Sequence, residues 1–111
     1  MIAEKYRAIL QQEKRNRFRR QDIFDLYYLF NNYQLPTRNE KRKILKSLIK
    51  KSESRQLQVN QYYMVNKEII RRSKKEYPLL AQEIIIELPD FDIAYAEIQS
   101  FYESLPWGKI N

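Results

Sequence analysis

The sequence predicts an all-α domain, a bundle of five to six helices. Three observations carry that expectation. Apolar residues recur three and four positions apart through most of the chain, the spacing of a buried helix face. Prolines at 36, 78, 89 and 106 fall at the boundaries of these stretches. Thr37-Arg38-Asn39-Glu40 has the form of a capping box, in which hydroxyl and carboxylate each satisfy an orphan amide.

Taken in order, Ile2, Tyr6, Ile9 and Leu10 predict an amphipathic helix over 2–15. The basic stretch KRNRFRR (14–20) follows as its end or as a connector. RQDIFDLYYLF leads a second helix over 21–32, stopped before Pro36. The capping box opens a third over about 38–51. Its buried stripe is Ile44, Leu45, Leu48 and Ile49, and its other faces are mostly lysine and arginine. Asn60 is expected to cap a fourth helix through Tyr63, Met64, Ile69 and Ile70, ending near Lys75. In PLLAQEIIIELP the isoleucine triplet favours a strand. Pro78 in a first turn, with Leu80, Ile84 and Leu88 four apart, favours a helix, which is the reading adopted. Asp92 is expected to cap the last helix, with Tyr95, Ile98, Phe101, Tyr102 and Leu105 on one side.

The 111 residues are one domain's worth, and no apolar run approaches the roughly 20 residues that span a bilayer. The first residues lack the layout of a signal peptide. With no cysteine the chain fits a reducing compartment, so a cytoplasmic location is expected. The absence of histidine and cysteine excludes zinc sites built on them and Ser–His or Cys–His nucleophile pairs. A single glycine, Gly108, excludes a glycine-rich phosphate cradle. Carboxylate, lysine, arginine and tyrosine remain for chemistry.

The net charge of +7 is uneven: residues 1–75 carry 20 Lys/Arg against 7 Asp/Glu, and residues 76–111 carry 1 against 7. Such asymmetry points to a basic face for an anionic partner, with phosphate the usual candidate, unless the acidic third folds back to neutralise it. Lys43, Lys46 and Lys50 on the third helix, with Arg19 and Arg20, are the candidate nucleic-acid contacts. Most tyrosines and phenylalanines fall at core spacing. Tyr62, Tyr63 and Tyr77 are less periodic, which leaves base stacking open there.

The candidate site begins with Asp22 and Asp25, three apart and so on one helix face, amid isoleucine, phenylalanine, leucine and tyrosine. Two readings stand. Either Asp22 is an N-cap with Asp25 in the first turn, or a carboxylate is held beside a partner cation or binds a metal or nucleotide. Lys5, Arg7, Arg19 and Arg20 are the cations within reach. Lys5 reads either as a solvated helix lysine or as a phosphate contact. The short connector between the first two helices should place Lys5 close to Asp22 or Asp25.

IAEKYRAILQQ, RNRFRRQDIFDLYYLF and LPDFDIAYAEIQSFYESLPW together resemble the C-terminal half of AbiEii-type nucleotidyltransferase toxins of bacterial toxin–antitoxin systems. The most specific part is the lysine-containing helix followed about 17 residues later by Arg-x-Asp-x-x-Asp-Leu-Tyr. The resemblance implies a site in which Lys5 and Asp22 or Asp25, with Asp22 preferred by its spacing to Leu29, complete a nucleotidyltransferase centre. It also implies metal-binding carboxylates near a Gly-Gly or Gly-Ser motif in another half, with Mg²⁺ and a nucleoside triphosphate for a full-length relative. Neither that motif nor an Asp-x-Asp pair at strand ends occurs here, and no metal-ligand set is assigned to this chain. The chain therefore reads as a truncated or split member: one helical domain over 1–111 acting on RNA, with a tRNA end as the candidate target, and inactive alone. An antitoxin or a separate catalytic half is the implied protein partner, with no membrane association. The other readings are a non-catalytic RNA-binding module and a structural remnant.

Overall fold

The computed structural model describes residues 1–109. Six α-helices carry the fold: α1 (Ile2–Leu10), α2 (Gln12–Arg15), α3 (Arg20–Asn32), α4 (Arg38–Glu53), α5 (Lys67–Lys74) and α6 (Phe91–Glu103). Short 3₁₀ turns at Tyr63–Val65, Tyr77–Gln82 and Trp107–Lys109 complete it, and there is no strand among the described residues. The all-α expectation is met.

Helix α1 lies centrally, packed against both α3 and α4, and α3 packs in turn on α6. The wholly buried apolar side chains come from every helix but the short α2: Tyr6 and Ile9, Ile23 and Leu26, Leu45 and Leu48, Ile69, Ile98 and Tyr102. Aromatic rings fill the centre, with Phe30 4.4 Å and Tyr6 6.2 Å from Phe101, ring to ring. Each buried phenol finds a backbone acceptor. Tyr6 donates to the Ile98 carbonyl, Tyr95 to Met64 and Tyr102 to Asn60, each at 2.6 Å. The last two bonds fasten the 57–66 connector onto α6.

Helix α4 forms as its sequence predicts. The Thr37 hydroxyl accepts from the Glu40 amide at 3.3 Å, and the Glu40 carboxylate accepts from the Thr37 amide at 2.8 Å. Four boundaries differ from expectation. The helix expected over 2–15 breaks at Gln11, and the buried side-chain amide of Gln12 donates to the Ile9 carbonyl at that break. The fourth helix starts at Lys67, not at Asn60. Asn66 caps it, accepting from Glu68 and Ile69 amides at 2.9 and 3.2 Å, while the Asn60 side chain closes a local turn onto the Tyr62 amide. The segment after Lys75 holds a 3₁₀ turn over Tyr77–Gln82 and then no regular structure up to α6. Three β-branched residues, with Pro89 three positions beyond the last of them, do not continue a helix that has barely nucleated. Finally, α6 starts one residue before Asp92. Asp90 occupies the cap position without a side-chain bond, and Asp92 lies in the first turn.

The acidic third does not neutralise the basic one. Of the ion pairs among the described residues, only Arg20 with Glu76, at 3.7 Å, joins the two regions.

Candidate functional site

Helix α1 presents Lys5 toward the first turns of α3, where Asp22 and Asp25 project from the same side. The Lys5 ammonium lies 2.7 Å from Asp25 Oδ2 and 3.3 Å from Asp22 Oδ1. Gln21 Nε2 donates to the other Asp25 oxygen at 2.9 Å, and Arg19 Nη1 stands 3.9 Å from Asp22 Oδ2. Side-chain exposure is 14% for Asp22, 22% for Lys5 and 29% for Asp25, so the three form a rim cluster with Asp22 innermost.

The N-cap reading of Asp22 is corrected here. Arg19 occupies the cap position with no side-chain cap bond, and Asp22 is the third residue of the helix. Its carboxylate is directed to Lys5 instead. Of the other cations that could have answered the pair, Arg7 turns to Glu4 and Gln11, and Arg20 to Glu76.

Burial pushes the Asp22 carboxyl above its ordinary range, more than the neighbouring Lys5 and Arg19 charges pull it down. For Lys5, burial works against the ammonium. The bond to Asp25 and the charge of Asp22 outweigh it, and the Lys5 pKa is raised. A folded carboxyl that holds its proton more tightly than the unfolded one loses stability as pH rises between those two values. Asp22 is thus kept at a cost to the fold, which makes it a candidate functional group.

The cluster does not fit a resident divalent metal. The Lys5 ammonium fills the space between the carboxylates, and no group of three or more potential ligands occurs among the described residues. What the arrangement can do is hold one cation in a fixed position at the edge of an open groove. That groove has a volume of about 570 Å³ and is lined by Lys5, Asp25, Phe24, Tyr28, Tyr33 and Ile86, among others. Its volume is in the range of small-molecule sites. Sequence periodicity does not point to this groove, since Tyr33 and Ile86 reach it from connectors.

Lys43, Lys46 and Lys50 are exposed on α4 at helical spacing that puts them on one face, and none makes an ion pair among the described residues. Arg19 and Arg20 are half-buried and turned toward Asp22 and Glu76. Of the three less periodic tyrosines, Tyr77 is core: its hydroxyl donates to the Pro89 carbonyl at 3.0 Å, and burial pushes its pKa up to about 12. Tyr63 is half-buried and Tyr62 exposed.

An all-helical domain with a lysine–dicarboxylate cluster beside an aromatic groove is the class that fold and site define. The family model described as nucleotidyl transferase AbiEii toxin of type IV toxin–antitoxin systems matches residues 1–98, and the chain belongs to that family. The match contains all of the lysine–aspartate cluster and stops inside α6, before the closing Leu-Pro-Trp. No curated protein and no solved structure matches the chain. No helix among the described residues is long and apolar enough to cross a membrane.

Proposed function

We propose that this domain is the helical part of a toxin–antitoxin nucleotidyltransferase acting on RNA, and that Lys5, Asp22 and Asp25 are its contribution to the active site. The observation that carries the reading is the Lys5 ammonium held at 2.7 and 3.3 Å by two carboxylates, one of them buried at a cost, in a chain of this family. In this role Lys5 places a point charge against a phosphate in the groove, and the aspartates fix its direction. Electrostatic positioning is most of what a protein contributes to phosphoryl chemistry. The metal-binding carboxylates implied for the family have no counterpart in these residues. The domain alone is therefore expected to transfer nothing, and to support transfer only beside a nucleotidyltransferase lobe of its family. An antitoxin is the second protein partner proposed.

The exposed lysines of α4 are assigned to the RNA backbone. Replacing Lys43, Lys46 and Lys50 by glutamine should weaken RNA binding and flatten its salt dependence by about 2 in the log–log slope, at roughly 0.7 per lost phosphate contact on single strands. Titration of parent and triple variant with tRNA at several salt concentrations checks this. An unchanged slope would remove α4 from the RNA surface. Absence of parent binding even at low salt would favour a structural remnant.

A further inference from the structure

The basic connector KRNRFRR acquires a use that the lysine–aspartate cluster does not exhaust. Arg15, Arg17 and Arg19 meet Arg7 of α1 and Arg55, just beyond α4, around one cavity of about 110 Å³, with Gln11 at its wall. Between the two arginines of Arg17-Phe18-Arg19, the phenylalanine takes another direction and lies under the Arg72 guanidinium, 5.2 Å from ring centre to carbon. Buried Gln12 sets this geometry. Its carbonyl oxygen accepts from the Arg19 amide at 2.6 Å, and its amide donates to Ser73 at 2.8 Å.

Five arginines line so small a space, and their counter-charges are few. Arg7 is paired with Glu4, and Arg19 has Asp22 at 3.9 Å. Arg15, Arg17 and Arg55 have no ion pair among the described residues. Arg7 is only 8% exposed, and its Nε, like that of Arg19, is buried with no hydrogen-bond partner. A buried charged donor without an acceptor is costly, and native structures rarely leave one. An oxyanion supplies both the acceptors and the charge. Guanidinium groups suit phosphate above other anions because their paired N–H groups match its oxygens. The volume lies well below the roughly 300–1,000 Å³ of sites that enclose whole small molecules. A single phosphate group is the size that fits.

We infer that the cavity formed by Arg7, Arg15, Arg17, Arg19 and Arg55 is a binding site for one phosphate group, separate from the Lys5 cluster. The group comes either from an RNA backbone or from free phosphate. Isothermal titration of the whole chain with inorganic phosphate, against sodium chloride at equal ionic strength, should show saturable one-site uptake. Arg17→Gln/Arg55→Gln removes two exposed arginines, so the fold is expected to persist, as circular dichroism will verify. Phosphate affinity should then fall at least about tenfold. A short single-stranded RNA identifies the source. Loss of RNA affinity in the double variant, with displacement of RNA by phosphate, assigns a backbone phosphate. RNA binding unchanged by the double variant, with phosphate uptake still lost, assigns free phosphate. No saturable phosphate uptake by the parent, or uptake undiminished in the double variant, overturns the site.

Discussion

Replacing Lys5 by methionine should destabilise the fold by about 2 kcal/mol at pH 7, below the roughly 3–5 kcal/mol for removing one partner of a fully buried ion pair because all three groups retain some exposure. Methionine keeps the length and apolar stem of the lysine. The loss is therefore that of the charge, which leaves Asp22 and Asp25 facing each other with Arg19 at 3.9 Å as the nearest cation. For a domain of this size the melting temperature should drop about 8 °C. The pH dependence has a definite sign. The Asp22 carboxyl already sits above its ordinary range through burial, and removing Lys5 removes the principal charge that lowers it. As pH falls, the folded variant therefore takes up a proton before its unfolded state does, and stability should recover on acidification. In Lys5→Met/Asp22→Asn the like-charge pair is gone, and most of the loss at pH 7 should disappear. Melting curves of the two single variants and the double variant measure the coupling. A Lys5→Met protein as stable as the parent at pH 7 would mean that the ammonium is solvated and the cluster loose.

Gln12→Ala is expected to have the largest effect on stability, about 3 kcal/mol. The buried amide of Gln12 bonds Ile9, Ser73 and the Arg19 amide, and so ties α1, α5 and the start of α3 together. Truncation leaves the Arg19 amide and the Ser73 hydroxyl without their partner and opens a space inside the fold. Ser73→Ala removes only one of these bonds and should cost about 1 kcal/mol. Urea unfolding of both variants provides the comparison. Equal losses would mean that the α3 start is held by something other than Gln12.

These two residues mark what the sequence discloses and what it hides. Lys5, Asp22 and Asp25 were legible because helical periodicity is local, and because a short connector leaves few ways to arrange two neighbouring helices. The capping box of α4 was legible for the same reason, since both bonds close within four residues. Gln12 carried no signal. A glutamine beside a second glutamine at the end of an amphipathic helix reads as surface, and only tertiary packing buries it. Asn60 and Asn66 both precede the apolar residues of the fourth helix, so spacing alone could not choose between caps. The Ile84–Ile86 stretch has competing periods and adopts neither. Part of its surface ends on the groove beside Lys5, where its environment depends on α1 and α3 and not on its own neighbours. The arginine cavity is similar. Each arginine reads singly as a solvated charge, and the cluster exists only once Gln12 has turned the connector.

Transfer of a labelled nucleotide to RNA by this domain, combined with a nucleotidyltransferase lobe of its family, tests the assignment of the cluster to chemistry most directly. The comparison is parent against Asp22→Asn. Asparagine has nearly the shape of aspartate and sheds a buried charge, so the variant should melt at or slightly above the parent temperature. The account predicts that transfer nonetheless falls about 100-fold, the scale for losing one positioned electrostatic group. Undiminished transfer by a stably folded Asp22→Asn protein would contradict it and return the lysine–aspartate cluster to the scaffold.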